Sequence, residues 1–149
     1  MSDHCHHQQR PTARTAASAT VHCLTGCSIG EFAGLALGVH LGWPATTTMI
    51  VATLLAFISG FALTLIPIMR DRGLSFSQAW KIVWIGETVS ITVMEIAMNF
   101  TDYQMGGMNV TSLADNWFWI SFVFALSAGF AAAFPVNWWL LSRNLKNCH

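Results

Sequence analysis

The sequence alternates four long apolar stretches with short polar connections. The stretches cover roughly residues 21–43, 45–69, 79–100 and 114–142. Each approaches the ~20 residues that a helix needs to cross the hydrocarbon core of a bilayer. Glu31, Glu87 and Glu95 interrupt the first and third stretches, so these two are more than plain lipid-facing anchors. The pattern predicts an all-α protein that forms a polytopic four-helix bundle in a membrane.

Polar segments flank the four stretches. We predict a polar cytoplasmic tail over residues 1–20, a domain of four transmembrane helices over residues 21–143, and a second cytoplasmic tail over residues 144–149. The first tail lacks the apolar core of a secretory signal peptide. Both tails carry side chains that can bind metals, at His4, Cys5, His6, His7, Cys148 and His149.

The basic residues predict the orientation in the membrane. The seven Lys and Arg residues are Arg10, Arg14, Arg70, Arg72, Lys81, Arg143 and Lys146. They lie near the two termini or near the connection between the second and third stretches, whereas the first and third connections contain none. Because cytoplasmic loops carry an excess of Lys and Arg, both termini and the middle connection are predicted to be cytoplasmic.

Composition narrows the class of function. The chain is 54% hydrophobic and 9% charged with a formal net charge of zero, and it has no basic run that would indicate a nucleic-acid partner. The four cysteines fall at or near the predicted cytoplasmic side, where thiols stay reduced. Free thiols or metal thiolates are therefore expected rather than disulfides. No phosphate-binding loop, nucleophile elbow or zincin motif occurs, so an enzyme is not expected.

The run 22–31 at the start of the first stretch carries the most distinctive chemistry. If it is helical, Cys23, Cys27 and Glu31 share one face, because residues four apart lie one above the other. Two thiols and a carboxylate inside hydrocarbon need a partner, since an unpaired polar group there is costly. A metal ion would provide that partner. His22, the residue before Cys23, would lie at the entrance to the metal site.

The third stretch supplies a second face of similar chemistry. Glu87, Met94, Glu95 and Met98 cluster on one side of a helix by their spacing. Thiolates and thioethers select soft ions such as Cu(I), while imidazole and carboxylate broaden the choice to Zn(II) or Cu(II). The predicted metal ligands are therefore His22, Cys23, Cys27, Glu31, Glu87, Met94, Glu95 and Met98. A series of weak sites along the membrane axis is what conduction of an ion requires.

Two patterns of small residues bear on packing. Glycine recurs at every fourth position of the first stretch, at Gly26, Gly30, Gly34, Gly38 and Gly42. Such a stripe lets another helix approach closely, and that helix belongs either to this chain or to a second copy in a homo-oligomer. The triplet 29–31 also recurs as 85–87, which as a parallel repeat predicts Glu31 and Glu87 at equal depth.

The blocks 22–31, 90–96 and 134–137 resemble the signatures of domain of unknown function 4396, a bacterial family of small integral-membrane proteins. The resemblance spans about residues 20–143 and leaves the tails outside. It implies a four-helix membrane domain in the bacterial inner (plasma) membrane and no established activity. Met98 stands where relatives are expected to have a carboxylate, which would shift a site toward softer metals.

Three functions follow from these residues. The first is binding or transport of a soft transition metal, most simply copper as Cu(I), in metal homeostasis. The second is a proton- or ion-coupled small transporter in which the glutamates act and the thiols are spectators. The third is a structural or accessory membrane subunit assembled through the glycine stripe. The lipid bilayer is the common partner of all three.

Overall fold

The computed structural model describes residues 12–143, the side chain of Met108 excepted. Within this range the chain forms four α-helices and one short 3₁₀ turn. They are α1 (Ala13–Leu41), α2 (Ala45–Arg72), α3 (Phe76–Met105), the turn Gly107–Asn109, and α4 (Asn116–Ser142). All four α-helices are long and apolar enough to cross a membrane. The predicted all-α architecture with four membrane helices is confirmed, and the His and Cys residues of the tails lie outside the described residues.

Three helices extend beyond the apolar stretches that predicted them, and α2 does so only by its last three residues. α1 begins at Ala13 rather than Val21, and the Thr12 side chain caps it by accepting a hydrogen bond from the backbone N–H of Thr15 at 3.2 Å. α3 continues past Phe100 to Met105, so Asp102 belongs to a helix rather than to a loop. Hydropathy identifies only the apolar part of a helix, which crosses the hydrocarbon core of the membrane. The backbone hydrogen bonds of the helix continue into the more polar residues beyond that part.

The helices form two hairpins, α1–α2 and α3–α4, that pack side by side. The most extensive contacts lie within each hairpin. The pairs α2–α3 and α1–α4 then close the bundle, and α1 also contacts α3 across its axis. Consecutive helices are antiparallel, so α1 and α3 run in the same direction. Residues on the inner faces of α1 and α3 therefore meet along the centre of the bundle.

The glycine stripe of α1 packs closely on α2. The contacts pair Gly26 with Gly60, Gly30 with Leu55, Gly34 with Ala52 and Gly38 with Thr48. At the first crossing, a side-chain carbon on Gly26 would lie only 2.9 Å from the Gly60 Cα. Gly42 lies outside the stripe, because it ends α1 in the left-handed conformation with a φ of 64°. The stripe is thus used within the chain, and association of two copies stays a prediction that would need another surface.

The bundle is apolar outside and partly polar inside. Large aliphatic side chains such as Ile58 and Ile96 are each 66% exposed. The buried polar and charged residues are Thr20, Glu31, Thr48, Thr64, Glu87, Ser90, Glu95, Asp102, Ser121 and Asn137. A water-soluble protein shows the opposite arrangement, whereas membrane proteins keep ionisable groups inside the bundle.

The two ends of the bundle differ in charge. The described Lys and Arg residues all lie at one end, the basic end, and they are Arg14, Arg70, Arg72, Lys81 and Arg143. Tryptophans mark both ends, with Trp80 and Trp138 near the basic end and Trp43 and Trp117 near the other. Trp side chains favour the two membrane–water interfaces. Which end faces the cytoplasm stays a prediction of the positive-inside rule.

Candidate functional site

Four sulfur-bearing side chains lie in the interior of the bundle. Cys23 and Cys27 of α1 and Met94 and Met98 of α3 belong to one buried hydrophobic cluster. Each is at most 2% exposed, and neither cysteine forms a disulfide within the described residues. We call these four residues the sulfur cluster. It unites half of the predicted metal ligands, drawn from two helices that are far apart in the sequence.

Glycines of the other two helices make room for the sulfur cluster. A side-chain carbon on Gly60 of α2 would lie 3.3 Å from the Cys27 sulfur. One on Gly129 of α4 would lie 2.7 Å from the Met98 sulfur and 3.2 Å from Cγ of Met94. The backbones of α2 and α4 therefore form opposite walls of the cluster, which a larger residue at either glycine would invade.

A chain of hydrogen bonds leads from the sulfur cluster toward the basic end. The Cys23 sulfur lies 3.5 Å from Ser90 Oγ, which donates to Asn137 Oδ1 at 2.7 Å. Asn137 Nδ2 in turn donates to Thr20 Oγ1 at 3.0 Å, and Thr20 donates to the Ala16 carbonyl at 2.8 Å. The chain joins α1, α3 and α4, and all four polar side chains are buried.

The direction of these hydrogen bonds indicates whether the Cys23 thiol carries its proton. A serine hydroxyl carries a single proton, and that of Ser90 is donated to Asn137. The contact between Ser90 and Cys23 must then use the thiol proton, with Cys23 as the donor. The resting arrangement therefore holds a protonated thiol. A thiolate at Cys23 would accept a hydrogen bond from Ser90 only if Ser90 turned away from Asn137.

The Cys23–Ser90 contact also fixes the level of α1 relative to α3. Counting along parallel helices from this pair, Glu87 lies level with Thr20, while Glu31 lies level with Met98. The two glutamates are therefore separated by roughly 16 Å along the bundle, at ~1.5 Å of rise per residue. The predicted equal depth of Glu31 and Glu87 is wrong, because the repeated triplet does not set the register of the helices.

Three carboxyl side chains continue the buried polar series away from the basic end. Glu31, Glu95 and Asp102 are 1%, 3% and 3% exposed. Each has one oxygen that receives no hydrogen bond within the described part of the chain, namely Glu31 Oε2, Glu95 Oε1 and Asp102 Oδ2. The other oxygen of Asp102 accepts a very short hydrogen bond from Ser121. This pair lies against Gly107, where a side chain would collide with both residues. Glu87 is also buried, nearer the basic end.

Sequence reasoning assigned no role to five residues of this polar interior, which are Thr20, Ser90, Asp102, Ser121 and Asn137. Asp102 was missed because α3 was predicted to end before it, although it follows Glu95 by seven residues and so shares its face. An Asn within the apolar interior of α4 was the available signal for Asn137, since polar groups in membrane helices face a partner.

The family of this chain follows from its sequence similarity to a known protein family. The family model described as a domain of unknown function (DUF4396) matches residues 12–146, nearly the whole chain. The chain belongs to the DUF4396 family. No curated protein and no solved structure matches it. Family membership confirms the resemblance seen in the sequence and extends it over the first turns of α1, but it brings no known activity.

The metal-binding potential of this DUF4396 chain rests on sulfur. Among the described residues, no three His, Cys, Asp or Glu side chains come together as a metal site. The eight predicted ligands therefore do not form a single site, because Glu87 and Glu31 lie at different levels and His22 is only half-buried. Two thiols and two thioethers remain within one buried cluster. That donor set suits Cu(I), which thiolate and thioether ligands select.

Glu31→Met should stabilise the DUF4396 bundle by about 1–3 kcal/mol, the usual cost of a buried polar group without a partner. The substitution nearly conserves volume and removes the oxygen that lacks a donor. Thermal denaturation in detergent, followed by size-exclusion chromatography of heated samples, measures the effect. Glu31→Gln is the matched control and should bring no gain, because its amide is equally unsatisfied. A lower denaturation temperature for Glu31→Met would show that the carboxyl has a stabilising partner.

Proposed function

We propose that this protein binds Cu(I) at the sulfur cluster inside the membrane and passes it between the two ends of the bundle in copper homeostasis. The observation that carries the proposal is the burial of Cys23, Cys27, Met94 and Met98 in one cluster. Met and free Cys are common in cores as packing residues. Here their sulfurs lie beside glycine backbones and at the end of a polar chain, which packing alone does not require.

Thiols bind copper only after they lose their protons. Each Cu–S bond to a cysteine therefore displaces one proton, which needs an acceptor within the bundle. Glu95 lies close enough to Cys23 and Cys27 for its charge to interact with theirs. Glu31 lies further from the basic end and interacts with Glu95. We assign to these two glutamates the acceptance of thiol protons and compensation of the charge of the ion.

The proposed path runs along the axis of the bundle. It runs from the basic end past His22 to the sulfur cluster, and continues beside Glu31 and Asp102 toward the opposite end. Under the positive-inside rule the basic end is cytoplasmic, which places both termini in the cytoplasm. Successive sites of moderate strength allow an ion to leave as well as to bind.

Titration of the purified protein with Cu(I) against a chromophoric chelator tests the assignment. Cys23→Ser/Cys27→Ser should lose most high-affinity binding, and Met94→Leu should weaken it by about tenfold, equivalent to ~1.4 kcal/mol. Cys5→Ser/Cys148→Ser and Met49→Leu are matched controls outside the sulfur cluster and should bind as the unchanged chain does. Unchanged stoichiometry in the Cys23→Ser/Cys27→Ser protein would overturn the proposal.

The second candidate function is transport coupled to protons, and the unpartnered carboxyl oxygens of Glu31, Glu95 and Asp102 favour it. Ionisable residues inside membrane proteins commonly form proton relays. In proteoliposomes with an internal pH dye, this function predicts proton flux that Glu31→Gln abolishes. Cys23→Ser/Cys27→Ser and removal of copper would leave that flux intact, which separates the two candidates.

A further inference from the structure

A cavity opens at the end of the bundle away from the basic end, between the α1–α2 connection and the α3–α4 connection. Its volume is about 570 Å³, within the range of small-molecule sites. It is lined by residues 38–45, Thr48 and residues 109–111, and none of these is Asp, Glu, Lys or Arg. The cavity therefore suits a ligand without net charge, because a net charge there would lack a charged partner.

The C-terminal end of α1 borders this cavity with carbonyl groups that the helix leaves unpaired. His40 and Leu41 line the cavity, and their carbonyl oxygens accept no backbone hydrogen bond within residues 12–143. The residue four positions after His40 is Pro44, which has no N–H to donate. The helix dipole adds partial negative charge at this end, so it favours a cation that can donate hydrogen bonds.

The N-terminal end of α2 borders the same cavity with the opposite polarity. The backbone N–H groups of Ala45, Thr46 and Thr47 donate to no backbone acceptor in the described part of the chain. The N-cap residue is Pro44, whose side chain cannot cap the helix. Unpaired N–H groups and the positive end of the helix dipole together bind anions such as phosphate. The cavity thus lies between one helix end that favours a cation and another that favours an anion.

A buried hydroxyl at this cavity also lacks a partner. Thr48 is 2% exposed and lines the cavity, and its hydroxyl forms no hydrogen bond with any described residue. A helical threonine can donate to the carbonyl four residues earlier, as Thr20 does to Ala16, whereas Thr48 bonds to Pro44 through its backbone N–H alone. A buried polar group without a partner is costly, so a ligand that accepts from Thr48 would be favoured.

We propose that this cavity binds the zwitterionic headgroup of a phospholipid whose cation is a primary ammonium, as in phosphatidylethanolamine. The phosphate accepts from the N–H groups that begin α2 and from Thr48, and the ammonium donates to the carbonyls that end α1. The position favours a lipid over a free zwitterion. Trp43 lines the cavity, and Trp side chains prefer the membrane–water interface, where headgroups lie. Leu41 also lines the cavity and is 54% exposed, which gives the acyl chains a way into the hydrocarbon.

Native mass spectrometry of the full chain in detergent, titrated with phospholipids of identical acyl chains, tests the proposal. Phosphatidylethanolamine should bind about tenfold more tightly than phosphatidylcholine, whose trimethylammonium group has no N–H donor, and than phosphatidylglycerol, which has no cation. Soluble glycerophosphoethanolamine should bind more weakly than the lipid by about tenfold or more, because it has no acyl chains to bury. Equal affinity for the first two lipids would overturn the proposal, as would a soluble headgroup that binds as tightly as the lipid.

Two substitutions test whether the lipid lies in this cavity. Thr48→Val keeps the shape of the side chain and should weaken binding of phosphatidylethanolamine by about fivefold, because it removes the hydroxyl. Thr111→Trp fills the cavity from an exposed position and should abolish binding, which keeps the test valid if Thr48→Val fails to fold. Gln104→Trp adds the same bulk at an exposed position of α3 outside the cavity and should bind normally. Cys23→Ser/Cys27→Ser should also bind normally, which separates this site from the copper site. Retained binding in Thr111→Trp would overturn the assignment.

Discussion

Replacing Gly30 with leucine should prevent the bundle from folding. The first side-chain carbon would collide with the backbone carbonyl of Leu55 and with the Ser59 hydroxyl, and a backbone atom cannot move aside as the end of a flexible side chain can. Relief requires α1 and α2 to separate along the whole stripe, where small residues allow close packing. We expect a loss of at least ~4 kcal/mol, beyond the usual range for overpacking, because the obstacle is backbone.

The yield of monodisperse protein from size-exclusion chromatography, with helix content from circular dichroism, measures this loss. Gly42→Ala is the matched control, since no atom lies within 4 Å of a side-chain carbon there and the only penalty is the left-handed φ of 64°. That penalty is about 1–2 kcal/mol. A Gly30→Leu protein as stable as the Gly42→Ala protein would show that the stripe does not hold the two helices together.

The membrane architecture could be predicted from the sequence because it depends on local properties. Four apolar stretches of sufficient length require four helices, and the Lys and Arg residues occur only near the two termini and the middle connection. The ends of α1 and α3 could not be predicted in this way, because hydropathy does not register the helical turns around Arg14 and Asp102. That Cys23 and Cys27 share one helix face could also be predicted, since it follows from helical periodicity.

The candidate site could be predicted only in part, because it depends on how α1 meets α3. Helical spacing indicated which residues of each helix share a face, and four of the eight predicted ligands do meet in the sulfur cluster. The level of α1 against α3 is indicated by the contact between Cys23 and Ser90, which are 67 residues apart. No spacing rule within a helix contains that information, and the repeated triplet gave the wrong level for Glu87.

Asn137→Leu should destabilise the bundle by about 2–4 kcal/mol. Asn137 is fully buried and bonds to Ser90 of α3 and Thr20 of α1, so the substitution removes two hydrogen bonds between helices. Such bonds contribute on average ~0.6 and at most ~1.7 kcal/mol each inside membranes, and an apolar side chain beside Thr20 adds a desolvation cost. Thermal denaturation in detergent measures the change. Ser127→Ala, which loses only a bond within α4, should have almost no effect.

The same substitution tests the direction of the hydrogen-bond chain. Without Asn137 Oδ1, the Ser90 hydroxyl becomes free to donate to the Cys23 sulfur and so to stabilise its thiolate. Ser90→Ala also breaks the chain, but it removes the hydroxyl that contacts Cys23. In a Cys5→Ser/Cys27→Ser/Cys148→Ser background, a small membrane-permeant alkylating reagent should therefore react faster with Cys23 in Asn137→Leu than in Ser90→Ala. Equal rates at matched stability would mean that Ser90 does not control the thiol, and the polar chain would then serve to align the helices alone.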